Sequence, residues 1–490
     1  MKTNSDEMHN QEMLLKKIRQ SSEVFDKLAN SYEVWVPESG WLAGRRNRDK
    51  NDSKRKNLTD WSILSFLLEI DNCHYPMADS YLQYGIDGVI RIAAETLETL
   101  QNNLQSELQD QTQLDIAYLE SLLHVWKRFR QFVADHMVLA LECAKQETSD
   151  TKKKRYEKIA KICQNLTINK PNTFCEALQL FWFTYLFRSP FGAGCIGRLD
   201  QLLYPFYKHD CEMGIWDQQE AEKMLEEMFA RMNEINTGDT LRNLMLSGQD
   251  AKGNDQTNEI TYLILVAYEN TGGSEPHLNV RFHEKTPKKL RDNCINMLSS
   301  GSGQPTIYFD EAVLPAMEKA GICHEDACQY ANDGCTETVI AGKSAIVFWQ
   351  YEMVKTVELT LFGGNENPCV KPVSMKKNSI HGADFVPKTN LLIGIESKKP
   401  QELTTFSEFL SAFFEQMDHQ LDHYFLMIKQ KMQEDQTVSI TSPFTAGTFE
   451  KCLRTGKDPL RGGGFDITNY QLLSGSIGTA ADCLYAIQSA

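Results

Sequence analysis

The sequence predicts an α/β protein in which a wrapped sheet is surrounded by helices and preceded by a large helical block. Three observations carry this. From Trp61 to about Phe187 the apolar residues recur at helical spacing. Pro276–His283 alternates Leu278, Val280 and Phe282 with Asn279, Arg281 and His283, and Gln304–Phe309 reads as a second short strand. Helical segments return between and after these strands, and strand–helix–strand order is the pattern of crossover units.

Taken in order, the residues up to about Asn57 are mostly polar and include the charge run Arg45–Lys56, which reads as a solvated loop. Helices are expected over Ile86–Leu104, Leu114–Lys145, Lys152–Asn165 and Thr173–Leu186. Leu119, Leu122, Leu123, Trp126, Phe129 and Phe132 recur mostly at three- and four-residue steps, which marks one buried stripe. The helix from Thr173 is apolar on most sides and is expected in the interior. A Gly-rich break, Ser189–Gln201, follows, and helical spacing resumes over Leu203–Tyr207 and Ala221–Asn236. Beyond the strands, helices are expected at Glu311–Lys319, His324–Asn332, Trp349–Leu361 and Phe406–Lys431, with a last helical pattern in Ser474–Ala490.

Whole-chain properties narrow the function. The 490 residues are 41% hydrophobic and 24% charged, as in a globular protein. A net charge of −15 argues against nucleic acid or an anionic membrane as partner, because phosphate binding needs a basic surface. No signal-type N-terminus and no bilayer-length apolar run is present, so a cytoplasmic location is expected. The 13 cysteines are odd in number and irregularly spaced, which suits reduced thiols. Cys323, His324 and Cys328 have no second ligand pair at zinc-site spacing, so no metal site is assigned.

The chemistry concentrates at Tyr330–Ser344. Asn332, Asp333 and Gly334 form a turn signal, and Cys335 and Glu337 follow two residues apart. In an extended segment such residues share a face, which pairs a thiol with a carboxyl. The sulfur can act as a nucleophile or, oxidised by one electron, as a hydrogen-atom abstractor, while the carboxyl moves a proton beside it. The competing reading of Cys335 is a buried structural thiol, and of Glu337 an ordinary surface carboxylate. Gly342–Ser344 has the end of a phosphate-binding loop, but Glu337 stands where that loop needs glycine.

Several segments together resemble the glycyl radical enzymes of the pyruvate formate-lyase type: Cys73–Val89, Pro171–Phe187, Gly197–Asp210, Gly303–Glu337 and Gly462–Gln488. The resemblance implies a ten-stranded-type barrel, here incomplete, built of two half-barrels and wrapped by helices. It implies a polar N-terminal extension over residues 1–60 and one family-like domain over 61–490, helical to about 270, with the barrel and cysteine loop from about 271. Cys335 matches the thiyl position, and Glu337 the acid/base of the Gly-Cys-x-Glu subgroup of dehydratases, C–N lyases and decarboxylases. His74 matches a histidine that the family often points into its substrate pocket, although a structural histidine is the plainer reading. The family's cofactor is an organic glycyl radical installed by a radical-SAM activating enzyme, with no metal and no other bound group. A small-molecule substrate, the activase and a homodimer are the partners the resemblance implies.

Three departures qualify it. The family's Arg-Val-x-Gly-Tyr radical loop has no counterpart; the closest string, Arg461–Phe465, matches the segment upstream of that loop, so Gly464 is not assigned as the radical. The expectation is a truncated or split product that is inactive alone and needs a complementary chain carrying the glycyl loop. Thr336 after Cys335 argues against the acyl transfer of pyruvate formate-lyase, which uses adjacent cysteines. Trp349 stands in the frame where diol dehydratases place an Asp, and Gly192 and Ala193 where they tend to place polar contacts, so an aromatic or bulkier substrate fits better than a small diol. The alternative function is a non-catalytic remnant or subunit that binds a partner chain. Arg281 is expected either in a structural ion pair or on a substrate carboxylate, and Arg198 with Asp200 as a local ion pair.

Overall fold

The structure, a computed structural model, describes residues 4–45, 66, 75–102, 109–188, 194–215, 217–234, 242–272, 274–334, 337–365, 394–398, 400–437 and 440–489. The chain divides into two compact units, one of residues 1–345 with 438–467, the other of 346–437 with 468–490.

The first unit opens with α1 (Asn4–Ser31), where the sequence suggested only a polar extension. Leu14, Ile18, Ser21, Phe25 and Leu28 are buried at steps of three and four residues, and the polar residues between them face out. Helices α2 (Ser80–Asn102), α3 (Gln109–Gln146), α4 (Asp150–Ile168) and α5 (Phe174–Arg188) complete the helical block. The α3 stripe is buried as its spacing predicts, from Leu119 to Phe132. Ser121 ties α3 to α1 through Ser21 at 3.1 Å and Ser22 at 2.7 Å. Phe174 to Phe187 are all buried, which matches the all-round apolarity of α5.

A four-stranded parallel sheet follows, with β1 (Gly194–Gly197), β2 (Arg242–Ser247), β3 (His277–Phe282) and β4 (Thr306–Phe309) side by side in chain order. The crossovers are α6 (Leu199–Met213) with α7 (Gln218–Asn233), then α8 (Glu259–Thr271), then α9 (Lys288–Ser299). Parallel neighbours require such connections, because a tight turn cannot return the chain to the same end. The sheet begins at Gly194, well before the expected start of the barrel part near residue 271.

After β4 come α10 (Asp310–Lys319) and the short α11 (His324–Ala327). The helix expected over His324–Asn332 stops at Ala327, because Tyr330–Asn332 is β5 and pairs antiparallel with β6 (Thr338–Ile340). Two short helices, α14 (Pro443–Ala446) and α15 (Glu450–Thr455), also belong to this unit; Phe444 stacks on Trp126 of α3 at 5.1 Å.

In the second unit β7 (Ser344–Glu352) pairs with β8 (Ile467–Gly475). Trp349–Glu352, expected as helix, belongs to β7, and the helix α12 begins at Met353 and runs to Leu361. With α13 (Phe406–Thr437) and α16 (Ile477–Ser489) it builds a core around Val357, Phe413 and Ala480. Among the described residues no helix is long and apolar enough to cross a membrane, and no group of three metal-ligating side chains is gathered.

Candidate active site

Register defines one face of the parallel sheet. β1 sets Cys195 beside Asn243; β2 sets Asn243, Met245 and Ser247 beside His277, Asn279 and Arg281; β3 sets Asn279 and Arg281 beside Thr306 and Tyr308. Side chains alternate along each strand, so these residues share a face, and Leu244, Leu246, Leu278 and Val280 fill the other. The polar residues at the centre of this face, Asn243, Asn279 and Arg281, are buried, whereas Thr306 on the edge strand is exposed. It faces the β5–β6 hairpin.

The hairpin is gripped at its base by two arginines. Arg281 donates Nη1 to the carbonyls of Cys328 at 2.8 Å and Tyr330 at 3.3 Å, and its guanidinium lies 4.1 Å from the Tyr330 ring centre. Its Nε and Nη2 hold the two oxygens of Asp310 at 2.8 and 2.9 Å, so the structural ion pair is the one formed. Tyr330 adds its hydroxyl to Asp310 at 3.1 Å. Arg198 donates to the Cys328 carbonyl at 3.3 Å, to Gln329 Oε1 at 3.1 Å and to the Ser247 carbonyl at 2.8 Å.

The expected Arg198–Asp200 ion pair is therefore corrected. Asp200 instead accepts from the Ser247 amide at 2.8 Å, the Thr261 hydroxyl at 2.7 Å and the Gln201 amide at 2.8 Å. Both side chains fasten the chain around Ser247, one by its carbonyl and one by its N–H. Burial is the main influence on each: it pushes the Asp200 carboxyl up, and with Arg281 nearby it holds Arg198 down at about 10.

At the far end Asn243 donates Nδ2 to the Gly334 carbonyl at 2.6 Å. Asn243 lies four residues before Ser247, the register partner of Arg281, and Gly334 lies four residues after Tyr330. With its start held at Arg281 and its end at Asn243, the first arm of the hairpin runs past β2 in the opposite direction. Residues 330 to 334 are all buried.

The turn closes where the Asp333 amide donates to the Glu337 carbonyl at 2.8 Å. Cys335 and Thr336 between them lie outside the described residues, as do His74, Gly192 and Ala193. Glu337 is half-buried at the start of the second arm. Tyr308 stands beside it. Burial pushes the Tyr308 hydroxyl above its usual range; a hydrogen bond with Asn332 opposes this, and the charge of Glu337 adds to it. On the other side Cys195 sits near Asp333, and burial first, then the Asp333 charge, pushes its thiol well up. It is held as the neutral thiol. Asn243, Tyr308 and Cys195 were not singled out from sequence. The signal for them is parallel register, which needs the strand pairing.

The hairpin is anchored across the buried face of the parallel sheet, and the sequence at its turn is Gly-Cys-Thr-Glu. The chain belongs to the pyruvate formate lyase-like family, whose profile matches residues 72–490. It is 31% identical over 373 residues to trans-4-hydroxy-L-proline dehydratase of Clostridioides difficile, a match covering 71% of this chain and 44% of that protein. It is 26% identical over 423 residues to (2S)-3-sulfopropanediol dehydratase of Klebsiella oxytoca, covering 82% of this chain and 48% of that one. The chain thus spans less than half the length of either relative. Its fold is similar to that of a glycyl radical enzyme from Archaeoglobus fulgidus, with a TM-score of 0.74 and 21% identity over 98% of this chain and 67% of that one. The expected fold class holds. Among the described residues the strands form the sheets given above and no closed barrel.

Proposed function

We infer that this chain carries the cysteine chemistry of a radical lyase or dehydratase acting on a small organic substrate. The observation behind this reading is the buried hairpin that bears Glu337 beside Tyr308 and is clamped at both ends by the sheet. Cys335 is the hydrogen-atom abstractor: its sulfur takes one hydrogen atom from a substrate carbon, forming S–H and leaving a carbon-centred radical. Glu337 accepts a proton from a substrate hydroxyl or delivers one to the leaving group. His74 contacts the substrate. A thiyl sulfur must be kept from water and oxygen, and the burial of residues 330 to 334 fits that need. A glycyl radical, installed by a radical-SAM activase on a partner polypeptide or a further segment, supplies the one-electron oxidation of the thiol. Trp349 in the diol-dehydratase Asp frame favours an aromatic or bulkier substrate.

The test is anaerobic reconstitution with the activase and a polypeptide bearing a glycyl loop. An organic-radical spin signal and substrate turnover are expected, and Cys335→Ser keeps the signal while abolishing turnover. Turnover that survives Cys335→Ser overturns the reading.

A second reading, a non-catalytic chain that binds another protein, draws on exposed Phe414 and Phe425 of α13, at 47% and 55% exposure. It predicts partner binding, with no radical signal and no turnover under the same conditions.

A further inference from the structure

The sheet holds the hairpin at two places with different chemistry. At the base, the guanidinium groups of Arg198 and Arg281 bind carbonyls of Cys328 and Tyr330. At the tip, the neutral amide of Asn243 binds the Gly334 carbonyl. The base grip accounts for docking of the hairpin; the tip grip does something further.

A peptide unit is planar, so the Gly334 carbonyl oxygen, the amide nitrogen of residue 335 and the Cα of residue 335 lie in one plane. Holding that oxygen, together with the Asp333 amide bonded to the Glu337 carbonyl, restrains the orientation of this peptide plane and so the direction in which the chain leaves Gly334. The 2.6 Å bond from Asn243 Nδ2 provides that hold. Asn243 is itself held. A carbonyl can only accept, so the amide nitrogen must face Gly334 and the amide oxygen must face the other way. There it accepts from Asn279 Nδ2 at 2.9 Å. Both asparagines are 3% exposed, so water does not compete for these bonds. The pair spans neighbouring strands, and those strands are closed by continuous parallel register from Asn243 to Ser247. Rotation of either amide would leave two buried groups without partners.

We propose that Asn243, oriented by Asn279, is a positioning residue that aims Cys335 by holding the Gly334 peptide plane. The proposal rests on the reading of Cys335 as the reacting sulfur. Hydrogen-atom transfer requires the sulfur and the substrate carbon in near contact, and misplacement by about 1 Å costs on the order of a hundredfold in rate. The bonds that Asn243 makes among the described residues are to the Gly334 carbonyl and to Asn279, which fits a role in holding the chain and not in binding substrate.

The experiment has two arms on the same proteins: wild type, Asn243→Ala and Asn243→Leu, whose side chain branches as asparagine does. The first arm is amide hydrogen exchange of the peptides covering 328–340, and it needs no radical. Both variants are expected to exchange roughly tenfold faster at the tip, with the base near Tyr330 as protected as in wild type. Unchanged exchange at the tip overturns the clamp. The second arm is steady-state turnover of the activated protein. A fall in kcat of about ten- to a hundredfold is expected, with KM within about twofold and the glycyl spin signal undiminished. A kcat within twofold of wild type, or a loss confined to KM, overturns the positioning role. If Asn243→Ala fails to fold, Asn243→Leu, which opens no cavity, carries both arms. Turnover by Cys335→Ser would defeat the functional reading alone, and the exchange result would still decide the clamp.

Discussion

Arg281 and Asp310 form a fully buried ion pair in which two guanidinium nitrogens meet two carboxylate oxygens at 2.8 and 2.9 Å, while the third nitrogen holds the carbonyls that start the hairpin. The pair therefore joins β3, α10 and β5 through one side chain. A lone buried ion pair is a weak source of stability, but this one also satisfies the carbonyl of Cys328, which it shares with Arg198, and that of Tyr330.

Removing one partner should be costly. Arg281→Met leaves the buried Asp310 carboxylate without its counter-charge, with only the Tyr330 hydroxyl and Gln249 amide as donors, and the expected loss is about 3–5 kcal/mol in denaturant unfolding. Arg281→Lys should recover little of it, because an ammonium cannot replace the fork. A Lys variant as stable as wild type would contradict the bidentate geometry.

Gly248→Ala tests the same clamp from the backbone. Gly248 has φ +97, where a side chain is strained, and a Cβ there would strike the Arg281 guanidinium. The variant should lose roughly 1–3 kcal/mol by thermal or chemical unfolding. It should also speed amide exchange near Tyr330, which wild type protects.

Glu337→Gln separates proton transfer from radical formation. The amide keeps the size of the side chain and loses its acid–base function. Turnover should fall by about 10²–10⁴ while the glycyl spin signal forms normally. A drop in both together would point to a structural role.

Buried His136 predicts an acid limit. Burial lowers its pKa to about 4 from the usual 6.5, against smaller opposing effects of the Phe132 carbonyl and Asp135. The native imidazole is neutral, so its contribution is complete above the unfolded value. It is lost as pH falls from about 6.5 to about 4, because the unfolded chain binds the proton first; the loss approaches roughly 3 kcal/mol. Unfolding free energies measured across that window should fall, and His136→Phe, whose ring suits the Phe132 and Phe183 neighbours at 4.5 and 5.0 Å, should flatten the slope.

Much of this was legible from residues alone, and the misses have physical causes. The alternation Leu278–Asn279–Val280–Arg281 announces a strand because period two survives burial of both faces when one covers a hairpin and the other helices. The α3 stripe is legible for the same local reason. β5 was not, because Tyr330–Asn332 becomes a strand only by pairing with Thr338–Ile340 and by the arginines that reach it. Trp349–Glu352 was drawn into the helix that follows, since its strand partner lies beyond Asp466. α1 was hidden by composition: its Lys, Glu and Gln residues mask an apolar stripe from Leu14 to Leu28 that spacing alone would have revealed. At the turn, the residue types of Cys335 and Glu337 suggest the proposed chemistry from sequence alone, whereas Asn243 and Tyr308 became visible only through register.

The arginine grip also orders events during synthesis. Arg198 waits for a carbonyl 130 positions downstream, and Arg281 for one 47 positions downstream. Until the ribosome has delivered residue 328, Arg198 has the Ser247 carbonyl and Arg281 has Asp310, but neither has the hairpin carbonyls it holds in the native fold. Contacts of such long range form late, so the hairpin is expected to settle after the sheet that receives it, and slower translation or lower growth temperature should raise the yield of native protein.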